Sequence, residues 1–208
     1  VIAGVKIDVG TPFSDTLEEG VLMVAAELLP LASSEFEPGP PGEQAIELSR
    51  VVDRAIRESK AIDFSKLCIT PKEKVWMIYV DIDVLDDDGN LIDAACLAAV
   101  SALLSARMPE LDEEKKVKRG TKTSEGLPIK GKPVSNTFVK IGGRIVTDPK
   151  IEEVKAMDAR LTVGSLEKDG KFHMCSIQKG GPEGFTFEEL ERMMDMAEKK
   201  SKELRSML

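Results

Sequence analysis

The chain has 208 residues, of which 42% are hydrophobic and 32% charged. That balance fits one large globular domain or two small ones and excludes a disordered chain. The longest charge-free stretch, Ala94 to Ala106, is shorter than the roughly 18 residues needed to cross a bilayer. No basic-then-apolar leader opens the sequence, which argues against a secretory signal. A net charge of −8 disfavours nucleic acid only if the cations are evenly spread, because phosphate binding depends on where they sit. Cys68, Cys96 and Cys175 form no CxxC pair, and their odd count does not suit a disulfide framework. With His173 as the single histidine, no Cys/His metal cluster can be assembled. The expectation is an intracellular protein without metal or cofactor.

Val1, Ala3, Val5, Ile7 and Val9 alternate with other residues and read as a strand ended by Gly10, Thr11 and Pro12. A chain that opens inside a strand without methionine leads to the expectation that an N-terminal piece precedes it. Val21 to Leu31 reads as a buried strand, and the Pro/Gly-rich stretch from Glu37 to Gly42 as a loop. From Glu43 to Lys60 a helix is expected. At 100° per residue, Ala45, Leu48, Val51, Val52, Ala55 and Ile56 share one arc, and Arg50, Arg54 and Arg57 form a stripe on the opposite side.

Lys74 to Asp86 alternates in its second half and reads as a strand, followed by a turn at Asp87 to Asn90. Leu91 to Ala106 is a small-residue helix with Asn90 in position to cap it, of the kind buried against a sheet. Leu111 to Lys132 is highly charged and reads as a linker or loose excursion. Phe138 to Val146 reads as a hairpin about Gly142 and Gly143, and strands Ala159–Leu166 and Lys171–Gln178 join through Lys168, Asp169 and Gly170. The last helix opens on a Thr186/Glu189 capping box, with Phe187, Leu190, Met193, Met194, Ala197, Leu204 and Met207 as its apolar face. The order of elements predicts an α+β protein of two layers, each a mixed sheet with helices on one face.

Several features invite chemistry and most decline it. Aligning Gly89 of the cluster Asp81, Asp83, Asp86, Asp87 and Asp88 with a calcium-loop glycine puts Val84 and Ala95 at ligand positions, so that reading fails. Gly180 to Gly184 lacks the Lys and Ser/Thr of a phosphate loop and reads as a turn. His173 has no serine or carboxylate motif beside it. The arginine stripe carries more. It is either a solvated face paired locally with Glu47, Asp53 and Glu58, or a ladder whose guanidinium groups grip successive phosphates of one strand. Without an evident aromatic platform, such binding is led by the backbone and tolerant of sequence.

Three runs now carry a resemblance: ELLPLASSEFEPGPPG from Glu27 to Gly42, AIELSRVVDRAIRES from Ala45 to Ser59, and VLDDDGNLIDAA from Val84 to Ala95. The chain resembles, over nearly its whole length, the non-catalytic RNase PH-like ring subunit of the archaeal exosome. The resemblance implies a ribosomal protein S5 domain 2-like layer at 1–108 with its N-terminal part missing, a charged linker at 109–132 and an RNase PH C-terminal layer at 133–208. It implies a cytoplasmic ring of three heterodimers with a catalytic RNase PH-like subunit, RNA-binding cap subunits, and single-stranded RNA degraded 3′→5′ by phosphorolysis. It implies RNA contacts from Arg50 and Arg54, with Arg57 matching less closely.

Catalytic relatives place a Gly-Thr/Ser-Arg step at the start of the buried helix, where hydroxyl, guanidinium and amides hold phosphate. Here the step reads Gly89, Asn90, Leu91, with Asp86, Asp87, Asp88 and Asp93 around it. Asp158 matches the place of the relatives' catalytic acid, yet a carboxylate without a phosphate cradle does not support phosphorolysis. No catalytic residue is therefore expected in this chain. Two rival readings remain, a self-sufficient phosphorolytic ribonuclease and a small-molecule enzyme of another S5-like family.

Overall fold

A computed structural model describes all residues, 1–208. The first sheet contains β1 (Ile2–Gly10), β2 (Val21–Leu28), β3 (Cys68–Thr70) and β4 (Lys74–Val84). β4 is its centre: β1 pairs antiparallel on one side, β2 parallel on the other, and β3 joins at the start of β4. A parallel neighbour requires a crossover, and the connection from β2 to β4 carries α1 (Glu43–Glu58). β2 stops at Leu28 rather than Leu31, before Pro30, which cannot donate to a ladder. It is also an edge strand with Met23 39% exposed, not the buried strand its apolar run suggests.

The six apolar residues expected on one arc of α1 are the six that are buried. α2 (Leu91–Ser105) buries Ile92, Ala95, Cys96, Ala99, Val100 and Leu103, which spread around the helix because it is covered on more than one side. It packs on β1 and β4, and also against β5 of the second sheet. Burial pushes the Cys96 thiol up to about 11, so it packs as an inert residue.

The second sheet contains β5 (Val134–Ile141), β6 (Arg144–Thr147), β7 (Ala159–Lys168) and β8 (Lys171–Gly180) in the order β6-β5-β7-β8. Within the expected α+β class this sheet is antiparallel throughout rather than mixed, and it is covered on both faces. Its two hairpins turn through Gly142-Gly143 and Asp169-Gly170, all four residues at positive φ, the geometry that fits strand twist. The short α3 (Ile151–Lys155) has no counterpart in the sequence reading. α4 (Phe187–Arg205) covers the outer face, setting Met193 and Ala197 on Phe138, Leu161 and Val163. The capping box at Thr186 and Glu189 forms in both directions, at 3.2 and 2.8 Å. Phe187 and Met207 lie at the ends of the helical region, 84% and 70% exposed, and do not join that face.

The charged segment between the sheets is not loose. Met108 N donates to Glu125 O at 2.8 Å and Thr123 N to Met108 O at 2.8 Å, folding it back on itself. Asp63 N donates to Pro128 O and Lys130 N to Ala61 O, while Leu127 is buried in the first core. That apolar anchor holds a segment whose composition looks solvated.

The layers thus run first sheet, α1 and α2, second sheet, α4. The face of the second sheet turned to the helices is small and polar, with Thr137, Thr162 and Gly164. A Cβ on Gly164 would lie 3.3 Å from Ala55 Cβ and overlap Ser176 Oγ. Gly89 makes the other close approach. At φ +92°, a Cβ there would sit 2.6 Å from Lys150 C and overlap Pro149 O, both backbone atoms. Gly89→Ala combines left-handed strain with a clash that no rotamer relieves. It is expected to cost about 3 kcal/mol or more, read as a lower urea midpoint.

Candidate nucleic-acid interface

α1 presents the arginine stripe, but its members differ. Arg57 is engaged: Nε donates to Asp53 Oδ2 at 3.1 Å, and Nη2 donates to Asp53 Oδ1 at 2.7 Å and to Leu22 O of β2 at 2.8 Å. The Asp53 carboxylate holds this guanidinium above its ordinary pKa. The third arginine therefore ties α1 to the edge strand, as the local ion-pair reading of the stripe anticipates for this residue. Glu47 is engaged as well. It pairs with Arg160 of β7, whose side chain is only 14% exposed, across the interface between helix and second sheet.

With Glu47 and Asp53 both taken, Arg50 and Arg54 are exposed and have no hydrogen bond or ion pair to the protein. They stand one helical turn apart, about 6 Å along the axis. They line a groove of about 420 Å³ whose floor includes Val51 and whose other wall is Gln178 of β8. Sequence spacing does not single out Gln178; only the sheet register, which sets it opposite Thr162, brings it there.

The start of α2 has a different character. Asn90 occupies the N-cap position in a left-handed conformation, φ 43° and ψ 40°, but its side chain does not cap. Its amide donates instead to Asp93 Oδ2 at 2.9 Å and Asp148 Oδ1 at 2.7 Å. Asp93 also accepts from Thr137 N at 2.7 Å and Thr137 Oγ1 at 2.9 Å, joining α2 to β5. Asp87 accepts from Gly89 N at 2.9 Å. Three carboxylates thus surround this helix start. The nearby cations Lys155 and Arg160 are each paired already, with Glu35 and Glu47. An incoming anion about 5 Å from one such carboxylate meets about 3 kcal/mol of repulsion at an effective dielectric near 20. Asp158 uses its carboxylate on the β5–β6 turn, accepting from Gly142 N at 2.7 Å.

A mixed sheet with a crossover helix, followed by an antiparallel sheet packed on the same helices, makes an α+β protein of two layers joined through α1 and α2. Residues 1–109 match domain 1 and residues 131–200 match domain 2 of the 3′ exoribonuclease family, RNase PH, and the chain belongs to that family. The chain is similar to the exosome complex component Rrp42 of Thermococcus gammatolerans, 45% identical over 210 residues that cover 100% of this chain and 76% of the relative. The Rrp42 of Methanopyrus kandleri is 47% identical over 208 residues, covering 99% and 76%. Among solved structures, a chain of the Archaeoglobus fulgidus exosome with RNA bound to the active site superposes with a TM-score of 0.87 at 42% identity, covering 98% of this chain and 77% of that one.

Burial, with repulsion from Asp148, raises the Asp93 carboxyl above its ordinary pKa despite three hydrogen bonds. A raised folded pKa contributes stability that is full below the unfolded value of about 3.9 and is lost as pH climbs through the folded value. In Asp93→Asn the amide oxygen still accepts from Thr137 N and Asn90, and its NH2 donates to Thr137 Oγ1, which turns its hydroxyl to Thr162. This variant is expected to match or exceed the native melting temperature at pH 7, with the difference shrinking as pH falls towards 4. Asp93→Ala strands those donors and is expected to cost about 1–3 kcal/mol.

Proposed function

We propose that this chain is a non-catalytic subunit of an exosome-type ring, built as three heterodimers with a catalytic RNase PH-like partner and topped by RNA-binding cap subunits. The ring acts on single-stranded RNA from its 3′ end. Inorganic phosphate attacks the terminal phosphodiester in the partner's site, the P–O3′ bond breaks, and a nucleoside diphosphate leaves as the new 3′ oxygen takes a proton. This chain grips the RNA backbone with Arg50 and Arg54 and helps to shape the partner's site. Its three cysteines, all free, fit a reducing cytoplasm.

One observation carries the reading. The place where relatives hold phosphate is ringed here by Asp87, Asp93 and Asp148, while two arginines on the next helix stand exposed and unpaired. The names of the relatives and of the RNA-bound neighbour support the same assignment. Arg57, bound to Asp53 and Leu22 O, backs the pair by fixing the helix rather than by adding a third phosphate contact.

Supplied with oligoadenylate and phosphate, the isolated chain is expected to release no nucleoside diphosphate, whereas the assembled complex does. Release by the isolated chain would overturn the assignment in favour of a self-sufficient ribonuclease. For the grip, two phosphate contacts predict that log K falls with log salt by about 1.4 per subunit, against about 2.1 for three. Replacing Arg50 and Arg54 together by Glu is expected to remove that dependence and most of the affinity. Titration of labelled oligoadenylate over a salt series decides it, and unchanged affinity and slope reject the ladder.

A further inference from the structure

We propose that Gln178 reads the ribose in this interface: its amide meets the 2′-hydroxyl of the nucleotide held by Arg50 and Arg54 and so favours RNA over DNA. The inference rests on the reading of that arginine pair as the backbone grip.

The groove has two unequal walls. One is α1, which supplies Glu43, Ile46, Glu47, Arg50, Val51 and Arg54, with Glu47 already paired to Arg160; the other is β8, which supplies Gln178 alone. The register explains why Gln178 is there. It lies opposite Thr162 of β7, whose buried hydroxyl is bonded to Thr137 at 2.9 Å. Two residues earlier on the same face of β8, Ser176 sits over Gly164 beside Ala55 of α1. Side chains on one face of a strand recur every second residue, so Gln178 is carried towards α1 with Ser176. The residue is half-buried, and its side chain makes no hydrogen bond to the rest of the protein.

The chemistry divides along the same walls. A strand whose phosphates lie on Arg50 and Arg54 offers its sugars to the side facing away from α1. The charge of each phosphate is met by a guanidinium, where a neutral amide adds little. An amide has both donors and an acceptor, which suits a hydroxyl that also donates and accepts. The 2′-hydroxyl is the group that DNA lacks. No aromatic residue lines the groove to stack a base, so discrimination falls on the sugar.

The test uses the assembled complex in phosphate-free buffer, so that the strand binds without being degraded. Oligoadenylate and the matching oligodeoxyadenylate are titrated against the native complex and against Gln178→Ala and Gln178→Met, the second keeping the packing without the hydrogen bonds. Both variants are expected to lose about 2- to 10-fold in RNA affinity, with DNA affinity and both salt slopes unchanged. A loss shared equally by DNA, or no loss, overturns the ribose contact and leaves the arginine grip standing. Arg50→Ala and Arg54→Ala, run alongside, are each expected to lower the slope by about 0.7 for both polymers. Slopes that stay put refute the grip, whatever Gln178 does.

Discussion

Two helices are shared by two sheets, and the rest of the molecule depends on how closely the second sheet can approach them. A helix face packs easily on an apolar sheet, but α2 must be covered by both sheets. Alanines along α2 and small polar residues on the facing strands solve this by letting backbones come close. Gly164 beside Ala55 and Gly89 against the Pro149–Ile151 backbone are two points where a side chain would not fit. Because the contact is small and polar, its specificity comes from a few directed bonds, Asp93 to Thr137 and Glu47 to Arg160, rather than from a broad apolar surface.

Those same bonds set the electrostatics of the surface. α1 carries acidic residues close to its arginines, and in an isolated helix they would neutralise the stripe. Two of them are engaged: Glu47 pairs across the layers with Arg160, and Asp53 pairs within the helix with Arg57. Outside stand the unpaired guanidinium groups of Arg50 and Arg54, between exposed Glu43 and Glu58, on a chain of net charge −8. Local potential, not the molecular total, governs what such a surface binds.

The start of α2 shows the opposite use of charge. Helix amides favour an anion, and here the fold surrounds them with its own carboxylates, bridged by the Asn90 amide. This helix start is part of the joint between the two layers, through Asp93 to Thr137 and Asn90 to Asp148. An incoming dianion meets three carboxylates, while Lys155 and Arg160 nearby are already paired. Cohesion between the layers and a carboxylate-rich helix start are therefore one arrangement, carried by Asp93, Asn90 and Asp148.

Much of this was legible in the residues. The period of α1 named its six buried side chains, the Thr186 box placed the last helix, and the runs around Ala45 and Val84 pointed to the family, because local geometry and apolar periodicity are written in adjacent residues. The charged segment before β5 misled, since Leu127 finds its seat only against a core formed elsewhere in the chain. Gln178 carried no signal at all, being an ordinary polar residue on a strand. By itself, the sequence determined most of the elements, the arginine stripe and the aspartates around Gly89, Asn90 and Leu91. Only the tertiary structure decided which arginines are free, because pairing depends on partners such as Arg160 and Leu22 O, far off in sequence, that packing brings within bonding distance.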